Sequence, residues 1–427
     1  MAGLARACAR RRAAARRQEP FMDWPTTFLA AYAGLSLLYW LRTAYAIVRL
    51  RRGVPLLAAL DLAPPVRAGA SAGRPARWPR LSVVVPACNE AADLEAAART
   101  LLAQDYPDLE LIFVDDRSTD ATGAIIDRLA ASDPRAKAIH IRELPAGWLG
   151  KVHALGRGLR ESAGEFVLFT DADVHFAPGA LSRAVAYAEQ HRLGHLAGLP
   201  ELRPGTFVTD AMISVFLRQF LTVTRAWAVR DPRSRAFIGI GAFNMVRRAA
   251  IEATPGLEWL RLEQGDDVGL GLMMKRSGAR CDVVNARGLV ALHWYRTVRD
   301  AAVGSEKGWA TGLRFSLLRA LVAAALLPAL ELSPILTLLP LAFEPVRPAG
   351  YAGLAVLAAC AATIGLMTRW GRTVSLARGL AGPLTAPLLA ALTIRTAILG
   401  WRRGGIMWRG TLYPTEMLRG GMRVRFP

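Results

Sequence analysis

Lysine and cysteine are both scarce in this chain, and each shortage removes a class of function. Only Lys137, Lys151, Lys275 and Lys307 occur in 427 residues, although Lys and Arg together number 54 against 34 Asp and Glu, a formal charge of +20. A basic excess of that size attracts nucleic-acid phosphates. Here it is nearly all arginine, and much of it flanks apolar runs, where arginine anchors to lipid headgroups and sets orientation. No nucleic-acid motif accompanies it, so no nucleic-acid partner is expected. The four cysteines, Cys8, Cys88, Cys281 and Cys360, stand far apart without CxxC spacing. That excludes a zinc ribbon or a disulfide framework and fits a reduced, cytosolic catalytic domain.

What the chain has in surplus is apolar sequence. At 53% hydrophobic residues it fills one sizeable soluble core and has apolar residues to spare. These collect in four runs, 26–48, 320–343, 351–367 and 380–401. The expected order is membrane, soluble domain, membrane. Residues 1–21 form a basic arm, or precede a true start at Met22. A transmembrane anchor covers 22–52, with Arg42 and Arg49 snorkelling to the interface. A linker rich in Pro, Gly, Ala and Arg covers 53–80, an α/β domain 81–312, a membrane block 313–401 and an interfacial tail 402–427. The run at 320–343 holds Pro328, Glu331, Pro334 and Pro340, and that at 380–401 holds Pro383, Pro387 and Arg395, so either can be broken or re-entrant. Three full crossings would place the arginine-rich tail opposite the soluble domain, against the positive-inside rule, so one segment is expected not to cross as a single helix.

In the middle of the chain apolar β-branched runs alternate with helical periodicity. Strands are predicted at 81–85, 109–114 and 166–169, and helices at 91–103 and 121–131. That alternation predicts an α/β fold with a mainly parallel sheet and ligands at the carboxyl ends of its strands.

The polar clusters sit at those ends or in later loops. The first strand runs into Pro86-Ala87-Cys88-Asn89-Glu90, the second into Asp115-Asp116-Arg117-Ser118-Thr119-Asp120. Carboxylates there can accept hydrogen bonds from a base and a ribose; each cluster alone is equally explained by turn acids and an N-cap at Ser118 or Asp120. The third strand ends in Thr170-Asp171-Ala172-Asp173. Two carboxylates one residue apart project to one side of an extended backbone and suit a hard divalent cation, which bridges phosphates and neutralises a leaving group. Lys151, between Gly150 and a helix, suits diphosphate contact or is simply solvated, and Trp148 can wall the pocket. Asp266 and Asp267 open a predicted helix, where a carboxylate can serve as general base or merely favour the helix dipole. His293, in His293-Trp294-Tyr295, is either a further metal ligand or structural.

In their order, PxxNE, VDDxSxD, GK, DAD and DD, these clusters over residues 81–310 resemble the inverting glycosyltransferase family 2, whose nucleotide-diphospho-sugar transferase domain has the GT-A fold. The resemblance implies an enzyme. Pro86, Asn89, Glu90, Asp115, Asp116, Lys151 and Asp171 would contact the donor, Asp171 and Asp173 would hold Mg²⁺ or Mn²⁺ with His293 as a third ligand, and Asp267, beside Asp266, would be the base. Asp266 stands where the family usually has Glu. The family's QxxRW motif falls on Ser305-Glu306-Lys307-Gly308-Trp309, which keeps only Trp309, assigned here to substrate binding. One anchor, a GT-A domain and a short C-terminal membrane block look like the lipid-modifying branch that includes ceramide glucosyltransferases and hopanoid- or carotenoid-associated enzymes. The implied activity is transfer from a UDP-sugar to a hydroxyl of a membrane lipid by a multi-pass cell-membrane protein with its catalytic domain in the cytosol. The tail Trp408-Arg409-Gly410-Thr411-Leu412-Tyr413-Pro414 would line the acceptor's membrane mouth or serve as an interfacial anchor. The alternatives are a processive polysaccharide synthase, weakened by the degraded QxxRW, and a catalytically inactive membrane-bound binding protein, weakened by the intact acidic motifs.

Overall fold

A computed structural model describes residues 24–64, 78–371 and 375–425; the basic arm and most of the linker lie outside the described residues. In chain order the strands are β1 (Leu81–Ala87), β2 (Leu109–Asp116), β3 (Ala136–Ile141), β4 (Phe166–Phe169), β5 (His175–Phe176), β6 (His195–Leu199), β7 (Glu201–Leu202), β8 (Asn244–Arg247), β9 (Cys281–Asn285), β10 (Val290–Leu292), β11 (Gly405–Trp408) and β12 (Thr411–Pro414). The main sheet has the order β3-β2-β1-β4-β8-β6-β9, and β8 alone runs against the rest. A sheet covered on both faces needs strands apolar throughout rather than alternating. Every residue of β1 and β2 is accordingly buried. The mainly parallel sheet expected from the sequence is therefore present.

Register brings the acidic ends together. Ala87 of β1 stands opposite Asp115 of β2, and Val84 of β1 opposite Phe169 at the end of β4. The three acid-bearing loops thus leave the sheet from one edge.

Among the described residues three helices are long and apolar enough to cross a membrane, Phe207–Ala228, Glu344–Trp370 and Leu376–Arg403, and a bent pair, Leu317–Glu331 with Ser333–Ala342, adds a fourth at a 53° break. The bend falls in the proline-containing run at 320–343, where a broken segment was expected. Phe207–Ala228 was not anticipated. It lies between β6 and β8, which pair with each other, and a single crossing between two paired strands is geometrically excluded. The helix Trp24–Gly53 forms where the anchor was expected, but is not among the three that pass on length and hydropathy. It packs along Arg347–Gly371 instead of standing alone.

Polar pairing inside this block fastens it to the catalytic domain. Arg218 on the helix Phe207–Val223 pairs with Glu331, the Gln219 amide donates to Glu331 Oε1 at 2.8 Å, and the Tyr39 hydroxyl donates to the same carboxylate. The Arg218 guanidinium lies 4.9 Å from the centroid of the Trp40 ring, whose indole N–H donates to Ser333 Oγ at 3.1 Å. Arg218 and Glu331 are both buried, so removing one leaves the other's charge without compensation. Glu331→Ala is expected to cost about 3–5 kcal/mol of stability, read by thermal unfolding in detergent, with Arg218→Met restoring most of it in the double variant. A loss below about 1 kcal/mol, the worth of an exposed pair, would contradict this account.

Candidate active site

The loops after β1 and β2 are laced to each other. Asn89 and Arg117 both take left-handed backbone, φ 56° and 58°. The Asn89 N–H donates to Ser118 Oγ at 3.1 Å, the Thr119 N–H returns to Asn89 Oδ1 at 2.8 Å, and the Glu90 N–H donates to Thr122 Oγ1 at 2.8 Å. Asp120 Oδ1 accepts the Thr122 N–H at 2.9 Å, but the N-cap of the helix Thr122–Ser132 is Ala121 rather than Ser118 or Asp120. Asp115 accepts from Ser118 N–H at 3.2 Å and faces His140 Nδ1 at 3.0 Å, while Asp116 is forked by Arg117 at 2.8 and 3.0 Å. Hydrogen bonds to Asp115 and Asp127 hold the His140 pKa above its usual value. Pro86 is a buried residue of β1, opposite Val114.

Lys151 is no solvated lysine. Its Nζ lies 2.7 Å from Asp171 Oδ1 and 3.2 Å from Asp266 Oδ2. Burial works against its charge, but Asp171, Asp266 and Asp267 outweigh burial and hold its pKa well above the ordinary value. Asp171 is the converse case: burial opposes ionisation, and Lys151, then Lys307 and Arg409, keep its pKa low. Asp173 has no such partner among the described residues. Burial and then repulsion from Asp171 push its carboxyl up to about 6.

Two glycines allow this crowding. A Cβ at Gly150 would come within 2.3 Å of Asp116 Oδ2, and one at Gly241 within 2.6 Å of Asp171 Oδ2. Gly241 also supplies an N–H to Asp267 Oδ2 at 2.9 Å, while Val268 N–H donates to Asp267 Oδ1 at 2.8 Å. Asp266 and Asp267 both lie in the first turn of the helix Asp266–Arg276. Burial first, then the neighbouring Asp266, raises the Asp267 carboxyl to about 6, with Lys151 opposing. Lys151, Thr170, Asp171, Asn244, Asp266 and Asp267 line one pocket.

Two expected site residues fall elsewhere. Trp309 is 3% exposed; its ring meets Phe315 edge-on and occupies the space beside Gly400. It belongs to the core between the catalytic and apolar blocks, not to the pocket. His293 does not join Asp171 and Asp173: among the described residues no three His, Cys, Asp or Glu side chains gather closely enough to hold a metal. The charges that bear on His293 are Arg296, Arg203, Asp93 and Asp210. Conversely, Lys307 and Arg409 were not picked out from sequence, yet their charges reach Asp171. The only signal for Lys307 was its place in the degraded QxxRW segment. For Arg409 it was its place in the tail 408–414, expected to line the acceptor's membrane mouth or to serve as an interfacial anchor.

A mainly parallel sheet with one reversed strand, carrying acids on adjacent loops at one edge, has the architecture of a GT-A domain. Residues 82–254 match the family model described as Glycosyl transferase family 2, and the chain carries a glycosyltransferase domain of that family. The match ends before Asp266 and Asp267. Among curated proteins, it is 37% identical over 112 residues to a GalNAc(5)-diNAcBac-PP-undecaprenol beta-1,3-glucosyltransferase of Campylobacter jejuni, covering 26% of this chain and 35% of that protein. It is 32% identical over 171 residues to a beta-monoglucosyldiacylglycerol synthase of Synechocystis sp., covering 38% and 35%. The chain thus spans about a third of the length of these two relatives. Among solved structures, a mannosyltransferase from Pyrobaculum calidifontis in complex with GDP-Man and Mn²⁺ aligns over 88% of this chain and 97% of that one, at 23% identity and a TM-score of 0.49.

Proposed function

We propose that this chain transfers one hexose, with inversion, from a nucleoside-diphosphate sugar, a UDP-sugar in the first instance, to a hydroxyl of a membrane lipid. The observation that carries the reading is the meeting of Lys151, Asp171, Asp266 and Asp267 in one pocket, on a domain fastened to an apolar helical block. Two relatives whose names include an undecaprenol and a diacylglycerol support a lipid acceptor. In this reading Glu90, Asp115 and Asp116 face the nucleoside, and Lys151 faces the diphosphate. Asp267 takes the acceptor proton as the hydroxyl attacks the anomeric carbon and the nucleoside diphosphate leaves, in one displacement.

Mg²⁺ or Mn²⁺ fits Asp171 and Asp173. The charge of Asp171 raises the cost of ionising Asp173, a repulsion that a bound divalent cation would relieve, and hard cations take such oxygens together with phosphate oxygens. When bound, the ion neutralises charge developing on the leaving diphosphate. With only two carboxylates, the remaining ligands would come from the donor and from water.

The topology follows from the tail. Glu263 Oε2 accepts the Arg423 N–H at 2.6 Å and the Val424 N–H at 2.8 Å, so the tail packs on the catalytic domain. In our reading the bent pair is re-entrant and Glu344–Trp370 and Leu376–Arg403 cross, which returns the arginine-rich tail to the cytosolic side with the catalytic domain. Mass spectrometry of lipids from cells with and without the chain tests the acceptor: a membrane lipid heavier by one sugar is expected. A long polymer in its place, or no new product and no UDP release with any acceptor, would refute the reading.

A further inference from the structure

The strands β11 and β12 form a hairpin whose two-residue turn, Arg409-Gly410, has positive φ at both residues, 47° and 79°. Turns of this kind match the twist of a hairpin and are ordinarily built from Asn-Gly or Gly-Gly, because a Cβ in left-handed backbone crowds the following carbonyl. An arginine is a poor choice for the turn itself. Arg117, Arg192, Arg225 and Arg314 take the same backbone, so any purpose of Arg409 has to be read from its contacts.

The purpose is visible in what the side chain touches. The Arg409 guanidinium pairs with Glu90, 319 residues earlier in the chain, while its side chain keeps 43% of its surface exposed. Its charge also reaches Asp171. The base of the hairpin is pinned: the Tyr413 hydroxyl accepts the Gly150 N–H at 3.4 Å, one residue before Lys151, and the Thr415 N–H donates to Gly404 O at 2.8 Å. Lys307 Nζ sits 3.7 Å from the centroid of the Trp408 ring, next to the turn. The hairpin therefore carries one guanidinium, at its tip, to Glu90 and within charge reach of Asp171, which lines the pocket with Lys151.

We infer that Arg409 is a ligand of the donor's diphosphate, carried on the hairpin tip and parked on Glu90 in the free enzyme. This rests on the sugar-nucleotide reading above. A guanidinium fork binds carboxylate and phosphate oxygens by the same parallel N–H pairs, so Glu90 and a diphosphate are interchangeable partners for it. When a nucleoside diphosphate enters, Arg409 passes from Glu90 to the phosphates. Glu90 is thereby released for the nucleoside. The exchange keeps the guanidinium paired in both states.

The test is calorimetric titration of the full chain in detergent, with Mn²⁺ held constant, using UDP and UMP as probes. Arg409→Asn suits the positive φ of the turn, so the hairpin survives the change. UDP affinity is expected to fall about tenfold or more, UMP affinity by less than about twofold, with Arg409→Lys between wild type and Asn for UDP. Equal losses for UDP and UMP would make Arg409 a strut of the hairpin, and unchanged UDP affinity would remove it from the site; either overturns the inference. Asp171→Asn separates the two levels of argument. If wild type binds UDP and Asp171→Asn does not, while Arg409→Asn is silent, only the Arg409 assignment falls. If wild type binds neither UDP nor GDP, the sugar-nucleotide reading falls with it; if it binds GDP alone, GDP and GMP replace the uridine pair.

Discussion

Asp267→Asn is expected to lower the turnover of sugar transfer by about 10²- to 10⁴-fold, the usual contribution of a positioned general base, while leaving donor affinity near that of the wild type. The amide keeps the shape of the side chain and one of its two backbone hydrogen bonds, from Gly241 or Val268, but cannot accept a proton. Donor contacts survive because Lys151 remains paired with Asp171 and Asp266. The wild-type pH profile carries the same assignment. Asp267 faces Asp266, Asp171 and Lys151, and burial, followed by Asp266, pushes its carboxyl up to about 6. A base must be ionised, so turnover is expected to be full above that value and to decline as pH falls through about 6. Stability runs the opposite way. A carboxyl whose pKa is raised on folding favours the protonated fold, so its contribution is complete below the unfolded value of 3.8 and is lost as pH rises through about 6. Retained turnover in Asp267→Asn, together with loss in Asp266→Asn, would move the base to the neighbouring residue.

The parts of this site legible in the sequence are those that local pattern dictates. Leu81–Ala87 and Leu109–Asp116 are mostly apolar and buried through their length because the sheet is covered on both faces, and Asp115 and Asp116 stand where the second strand leaves it. The parts that escaped depend on distant contacts. Nothing near Arg409 announces Glu90, and nothing near Arg218 announces Glu331; both pairs form only once the chain has folded. The helix Phe207–Val223 escaped for a related reason: Asp210 and Arg218 interrupt its apolar run, and both are buried only through their distant partners Arg378 and Glu331. Trp309 was misplaced by one helical face. Two residues on a helix differ by about 200° in direction, so when Trp309 turns into the core, Lys307 turns away from it and toward the pocket. Matching by motif kept the right segment and chose the wrong side of it.

Asp173→Ala is expected to remove the cation-dependent part of nucleotide binding. Asp171 is already engaged by Lys151 at 2.7 Å, so it offers a cation at most part of its carboxylate. Among the described residues Asp173 has no comparable partner, and its carboxyl sits at about 6 because burial and Asp171 both oppose its charge. A cation that binds here gains most from Asp173. Calorimetric titration with UDP, with and without Mn²⁺, should show a metal-dependent gain of about tenfold or more in wild type, an increment of about 1.4 kcal/mol, and no gain in Asp173→Ala. The metal-independent remainder is expected to persist, since the change leaves Lys151, the proposed phosphate contact, in place. His293→Ala serves as the comparison: standing among Arg203, Arg296, Asp93 and Asp210, it should leave the metal-dependent gain intact. An undiminished gain in Asp173→Ala would take the cation away from this carboxylate, and a gain lost in His293→Ala would restore the histidine to the metal site from which its neighbours separate it.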